Sequence, residues 1–143
     1  MSSIITAEKS IYIDKDLEVV WNIISDVNSW GKWNPSIDHA VLYGQFEKGS
    51  KLKLVSGKWD FDCVIGGINE GKNLAIFCKT MGLVVNLDWD LKIKSPNSEI
   101  KLIVSAEGFL VSLIRKRTME LVDGILESTL TSLKFRAEKV PES

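Results

Sequence analysis

Two hydrophobic periods divide this chain. From residue 37 to residue 107 apolar and polar side chains alternate, the period of strands with one face in a core and the other in water. Strands are predicted at about 37–43, 50–55, 58–68, 73–80, 83–94 and 98–108, and an earlier one at 4–13, where Ile11 and Ile13 share a face. Turns at Ser56-Gly57, Glu70-Gly71, Met81-Gly82 and Pro96-Asn97 join the later strands as antiparallel hairpins. The first turn pairs Trp59 with Leu54 and Phe61 with Leu52; the second pairs Cys63 with Cys78 and Ile65 with Ile76. The third pairs Leu74 with Trp89 and Ile76 with Leu87; the fourth pairs Trp89 with Val104, Leu91 with Leu102 and Ile93 with Ile100. These pairs fall apolar on apolar, as a half-buried sheet requires. Lys53, Asp60, Asp62, Lys79, Asn86, Asp88, Asp90 and Lys101 take the other face.

After residue 111 the period lengthens to three and four. Val111, Ile114, Thr118, Met119, Val122, Ile125, Leu126, Thr129, Leu130, Leu133 and Ala137 then line one face of a helix over residues 111–138. Such a stripe needs a concave partner, and the sheet is the one element able to supply it. Between the first and second strands, Asp14-Lys15-Asp16 ends the strand and opens a helix, with an Asp able to cap its free N–H groups. That helix carries Leu17, Val20, Trp21 and Ile24 on one face and stops near Asn28. A second short helix or turn covers residues 30–34, and Pro35 closes it. The expected fold is α+β: a seven-stranded curved antiparallel sheet wrapped around a long C-terminal helix, with two short helices between strands 1 and 2. A straight helix held off a curved sheet leaves a void, expected at the helix's N-terminal half.

The chain has 143 residues, which suits one domain spanning 1–143. Its 45% hydrophobic and 26% charged residues are ordinary for a globular protein, and a formal net charge of −1 argues against nucleic acid as a partner. The start MSSIITAEKS has no apolar signal-peptide core, and no apolar run reaches the ~18 residues of a membrane span. A cytoplasmic protein with no integral membrane association is expected, and Cys63 and Cys78 are expected to be buried and reduced.

The candidate site is the inner face. Trp59, Phe61, Ile76, Leu87, Trp89, Leu102 and Val104 from the strands face Thr118, Met119, Val122 and Ile125 from the helix, with Trp33 at the mouth and Arg115 on the rim. Flat aromatic walls suit a ring or an acyl chain, and they also simply fill volume. Trp21 and Trp30 read as staples of the small helices. Thr118 and Thr129 read as bonding their own backbone, and Thr118, nearer the helix start, alternatively offers a ligand a polar contact. Arg115-Lys116-Arg117 reads as a solvated rim or as a membrane-docking patch. His39 is the only histidine and reads as a surface residue. No metal set, paired carboxylates, activated nucleophile or Gly-rich phosphate loop is present, so neither a cofactor nor a metal is expected.

The order of elements, together with Ile13-Asp14-Lys15-Asp16-Leu17-Glu18-Val19-Val20-Trp21, Asp26 and Trp30-Gly31-Lys32-Trp33-Asn34-Pro35, resembles the START-like superfamily, also called SRPBCC or Bet v 1-like. Gly44, Gly49, Gly108, Leu133-Lys134 and Ala137-Glu138 extend the likeness over nearly the whole chain. The details look like its small bacterial polyketide cyclase/dehydrase and lipid transport branch. Lys15 and Asp16 depart from the small residues or prolines usual there. The resemblance implies a helix-grip fold and three functional expectations. The first is a carrier or sensor for a small hydrophobic molecule, a lipid, polyketide or quinone-like compound. The second is a cyclase or dehydratase that shapes its substrate, and the third a protein-interaction module of the chaperone-activator kind. No protein partner is named by the residues.

Overall fold

The computed structural model describes residues 4–94 and 97–140. Strand β1 (Ile4–Ile13) is followed by helix α1 (Leu17–Ser25), a short 3-10 turn (Val27–Ser29) and helix α2 (Trp30–Trp33). Six strands come next: β2 (His39–Tyr43), β3 (Lys51–Ser56), β4 (Trp59–Asn69), β5 (Asn73–Thr80), β6 (Leu83–Lys94) and β7 (Asn97–Glu107). Helices α3 (Phe109–Leu113) and α4 (Arg115–Glu138) close the chain. All seven strands form one antiparallel sheet in the order β1-β7-β6-β5-β4-β3-β2. The sheet curves around the long C-terminal helix, which is the expected helix-grip arrangement.

Alternation sets the faces. Leu52, Leu54, Phe61, Cys63, Leu74, Ile76, Trp89 and Leu102 point inward and are buried, while Asp60, Asp62 and Lys79 are exposed. Two expected registers are corrected by two residues each. Phe61 pairs with Leu54 and Trp59 with Ser56, because the β3–β4 turn is Gly57-Lys58. Gly57 has φ +60° and no other residue of that turn has a positive φ. A two-residue hairpin with glycine at its first central position is the type II′ turn, which matches the twist of the strands. Likewise Leu87 pairs with Val104, Trp89 with Leu102 and Leu91 with Ile100, so Ile93 faces Ser98 and is exposed. Of the expected Pro96-Asn97 turn, Pro96 lies outside the described residues, and Asn97 already pairs with Lys94. The pairs of β5 with β6 are as expected. Cys63 does face Cys78, although a bulge between Ile65 and Gly67 shifts the register nearer the turn.

The final helix is not continuous. Ile114 has φ −129° and ψ 51°, which separates α3 from α4. Beyond the break, Thr118, Val122, Leu126, Thr129, Leu130, Leu133 and Ala137 are buried against the sheet. Met119 is the exception, at 44% exposure. It shares its azimuth with Ala137, five turns on, so helix rotation is not the cause. Lys134 donates to the Tyr12 carbonyl at 2.7 Å and Lys9 pairs with Glu127, so α4 runs alongside β1. Asp16 is the N-cap residue of α1, but its side chain makes no capping bond; only its carbonyl does, to Val19 N at 3.0 Å.

Candidate functional site

A partly open space lies between the middle of α4 and the inner face of the sheet. Leu54, Phe61, Val85, Leu87, Trp89 and Leu102 form its sheet wall, and Ile125 and Thr129 its helix wall. The segment from α2 into β2 roofs it with Trp30, Trp33, Asn34, Ser36 and Ile37, and Ser56 and Cys78 complete the lining. The atom-free space, its opening to solvent included, is about 580 Å³. The facing walls leave it narrow, a slot rather than a chamber.

The roof is held from both sides. Asn34 stops α2, its N–H reaching the Trp30 carbonyl at 2.9 Å. Its side-chain amide donates to Thr129 Oγ1 at 2.8 Å, and its Oδ1 accepts from Ser36 N at 3.0 Å and Ser128 Oγ at 3.2 Å. Asp38 fixes the far end of the strap, with its N–H on the Val55 carbonyl and its carboxylate on Gly57 N, both at 2.8 Å. Trp30 is a staple as expected, donating to the Ile24 carbonyl at 2.9 Å. Trp21 is buried edge-on to Phe46, with centroids 6.1 Å apart.

Trp33 and Trp89 differ from these. Both line the slot, and both carry a buried indole N–H with no hydrogen-bond partner among the described residues. Leaving such a donor unpaired costs free energy, so each calls for an acceptor beyond the described residues. The other lining polar groups are neutral: an amide, hydroxyls and the Cys78 thiol. The hydrogen bond with Cys63 and then burial push that thiol well above its ordinary range, so it stays protonated. Among the described residues neither a carboxylate, a histidine nor a lysine lines the slot.

Of the expected cavity residues, the structure gathers Trp33, Phe61, Leu87, Trp89, Leu102 and Ile125 around this space. Ile76, Val104, Val122 and Thr118 are fully buried but packed away from it. The Thr118 hydroxyl donates to the Ile114 carbonyl at 3.0 Å, four residues back, the same carbonyl that accepts its N–H at 2.9 Å. Trp59 is half-buried beside the turn, stacked on Phe61 at 6.1 Å, because the true register carries it to the strand's end. Met119 points outward at the helix start. Arg115 is exposed and stands ten residues from Ile125, about 15 Å along the axis, so it is not on the rim. The space therefore sits at the middle of α4, not at its N-terminal half, where Val122 already packs to zero exposure. Asn34, Ser36, Ser56 and Cys78 were not expected here. Asn34 reads in sequence as the stop of a short helix, and nothing local signals that it reaches Thr129.

No protein-family model matches this chain. No curated protein matches it either. Solved structures do. A START superfamily protein from Mycobacterium smegmatis superposes with a TM-score of 0.77 at 15% identity, covering 95% of this chain and 99% of that one. The di-domain ARO/CYC protein BexL superposes at 0.78 and 14% identity over 96% of this chain, which spans about half (51%) of that protein. Norcoclaurine synthase from Thalictrum flavum, in complex with dopamine and hydroxybenzaldehyde, superposes at 0.77 and 8% identity over 99% of this chain and 91% of the synthase. Identities this low speak for backbone architecture alone. With the sheet order and the gripped helix, they identify the fold of this chain as the START-like (SRPBCC) helix-grip fold.

Proposed function

We propose that this protein binds a small, flat, mostly apolar molecule in the slot between the sheet and α4, as a carrier or sensor in the cytoplasm. The observation that carries the reading is a slot walled mainly by apolar and aromatic side chains, two of which, Trp33 and Trp89, hold indole N–H groups with no partner among the described residues. Apolar burial at ~25 cal/mol per Å² drives entry, and an oxygen acceptor on the ligand fixes its orientation by meeting an indole N–H. A quinone or an aromatic ketone has both features. The narrow space suits a planar ring system better than a sterol. The solved complex of norcoclaurine synthase holds two small aromatic molecules, which agrees with such a use of the fold. A lining without a carboxylate, histidine or lysine favours binding over acid–base chemistry.

The test compares naphthoquinone with naphthalene, following tryptophan quenching and thermal shift. The quinone binds more tightly, and Trp89→Phe, which removes the N–H but keeps a ring, weakens the quinone by about fivefold, the ~1 kcal/mol of one hydrogen bond. Naphthalene binding changes little. If neither compound shifts the melting temperature, and native mass spectrometry of protein from its own host shows no bound mass, the slot is a packing defect.

A further inference from the structure

The strongest feature outside the slot is the corner where α3 meets α4. Met81 in the β5–β6 turn is 86% exposed, Phe109 61% and Leu113 72%. They form one patch. Leu110 N donates to the Gly82 carbonyl at 3.1 Å, and the Phe109 ring lies so close to Gly82 that a β-carbon there would fall 2.5 Å from its Cζ. Leu113 follows Phe109 by four residues, on the same side of α3. Large apolar side chains exposed together call for a partner; single ones do not.

The charges beside the patch indicate which partner. Arg115, Lys116 and Arg117 follow immediately and are all exposed. Among the described residues none of their side chains forms an ion pair or a hydrogen bond. They also occupy the first turn of α4, with no acidic residue in that turn, so they oppose the helix dipole. Glu107 at the end of β7 and Glu120 one turn along α4 are the acidic groups nearest in sequence. In a chain of net charge −1, three unpaired cations at the edge of an apolar knob are a local exception. An apolar tip ringed by cations matches an anionic bilayer surface, where the tip enters the acyl boundary and the cations meet headgroups.

We propose that this corner docks the protein on anionic lipid membranes, with Met81, Phe109 and Leu113 inserting and Arg115, Lys116 and Arg117 contacting the headgroups. Docking here is peripheral; among the described residues no helix is long and apolar enough to cross a membrane. The proposal is independent of any occupant of the slot, whose lining contains none of these residues.

The experiment is vesicle co-sedimentation of the intact protein. Vesicles of equal parts phosphatidylcholine and phosphatidylserine sediment it at low salt, and pure phosphatidylcholine does not. Raising salt to roughly 0.5 M, where screening falls to a few ångströms, releases it. Each charge contributes about fivefold, so the combined Arg115→Gln, Lys116→Gln and Arg117→Gln variant loses on the order of a hundredfold in partitioning. Leu113→Ser, at an exposed position, keeps the fold by circular dichroism and weakens binding. An environment-sensitive dye on Leu113→Cys shifts to the blue with the serine-containing vesicles. The proposal is overturned if neither vesicle binds, or if the glutamine variant binds as tightly as the parent. It is equally overturned if the protein ignores lipid but forms a dimer that Leu113→Ser dissociates, since the patch then serves a second copy of the chain.

Discussion

The Asn34 side-chain amide donates a 2.8 Å hydrogen bond to the Thr129 hydroxyl, joining the strap over the slot to the middle of α4. Both residues are buried, at 1% and 5% exposure. Removing one partner strands the other away from water. Thr129→Val should therefore destabilise by about 1–3 kcal/mol. Asn34→Leu should cost at least as much, because Ser36 N and Ser128 Oγ also lose their acceptor. The double variant should cost less than the two together, the sign of a shared interaction. Urea denaturation of the four proteins measures this; strict additivity would show that the strap and helix are not coupled.

How much of this was legible in the sequence follows from what alternation can and cannot encode. Alternation fixes parity, so Leu52, Phe61, Cys63, Ile76, Leu87, Trp89, Leu102 and Val104 show their expected face, whereas Ile93 at the end of β6 does not. It does not fix absolute register, because apolar residues two apart make either pairing apolar. Leu91 against Ile100 looks as good as Leu91 against Leu102, and the structure uses the former. Turn chemistry decides instead, and the Gly57-Lys58 turn was readable from the type II′ preference for a leading glycine. The site was half legible. Phe61, Leu87, Trp89, Leu102 and Ile125 followed from their faces. Asn34 and Thr129 are ninety-five residues apart, and their contact depends on where the strap crosses the helix, which no local pattern records. Met119 sits on the helical stripe and is nonetheless 44% exposed, beside a fully buried Thr118, which the spacing of apolar residues does not signal.

Gly66 and Phe77 should be similarly coupled. The bulge in β4 brings Gly66 under the Phe77 ring, and a β-carbon there would lie 2.1 Å from Phe77 Cε2. Gly66→Ala must displace the ring and should lower the melting temperature. Phe77 is 44% exposed, so Phe77→Ala loses little burial by itself. Added to Gly66→Ala, it should recover most of the loss. Scanning calorimetry on the set decides, and no recovery would place the strain in the backbone of the bulge.

Cys63 and Cys78 are both buried and free. The Cys78 thiol is raised well above its ordinary range by its bond with Cys63 and by burial, and a neutral thiol is a poor nucleophile. Neither should react with an aromatic disulfide reagent in native buffer on the minute scale, and both should react at once in denaturant. Rapid labelling of the native protein would show that the β4–β5 pair opens.

Glu138 predicts a pH dependence with a definite sign. The hydrogen bond from Lys134 at 2.7 Å, and then the one from Asp14 N at 3.0 Å, hold its carboxyl below the ordinary value of 4.5. A depressed acid stabilises the fold above its unfolded pKa and loses that contribution as pH falls through its folded pKa. Glu138→Gln should melt below the parent at pH 7, by a modest amount because solvent screens so exposed a pair. The gap should close as pH drops below the ordinary carboxylate range. A gap that persists at pH 2 would mean that glutamine disturbs packing and not charge.

The position of the slot predicts opposite outcomes for two substitutions one helical turn apart. Val122 has no exposed surface and does not line the slot, so Val122→Trp should overpack the core, at about 1–3 kcal/mol or more. Ile125 lines the slot and is only partly buried, so the ring of Ile125→Phe has atom-free space to enter. Ile125→Phe should leave the melting temperature unchanged or raise it, because filling a void restores dispersion contacts to its walls. It should also abolish the thermal shift given by naphthoquinone, since ring and ligand compete for the same volume. Thermal melts of both variants, with and without the quinone, supply all four numbers. If Ile125→Phe is as damaging as Val122→Trp, the walls already meet at residue 125, and a ligand could enter only by forcing the strap away from α4. In that case Asn34→Leu, which frees the strap, should increase quinone affinity instead of leaving it unchanged.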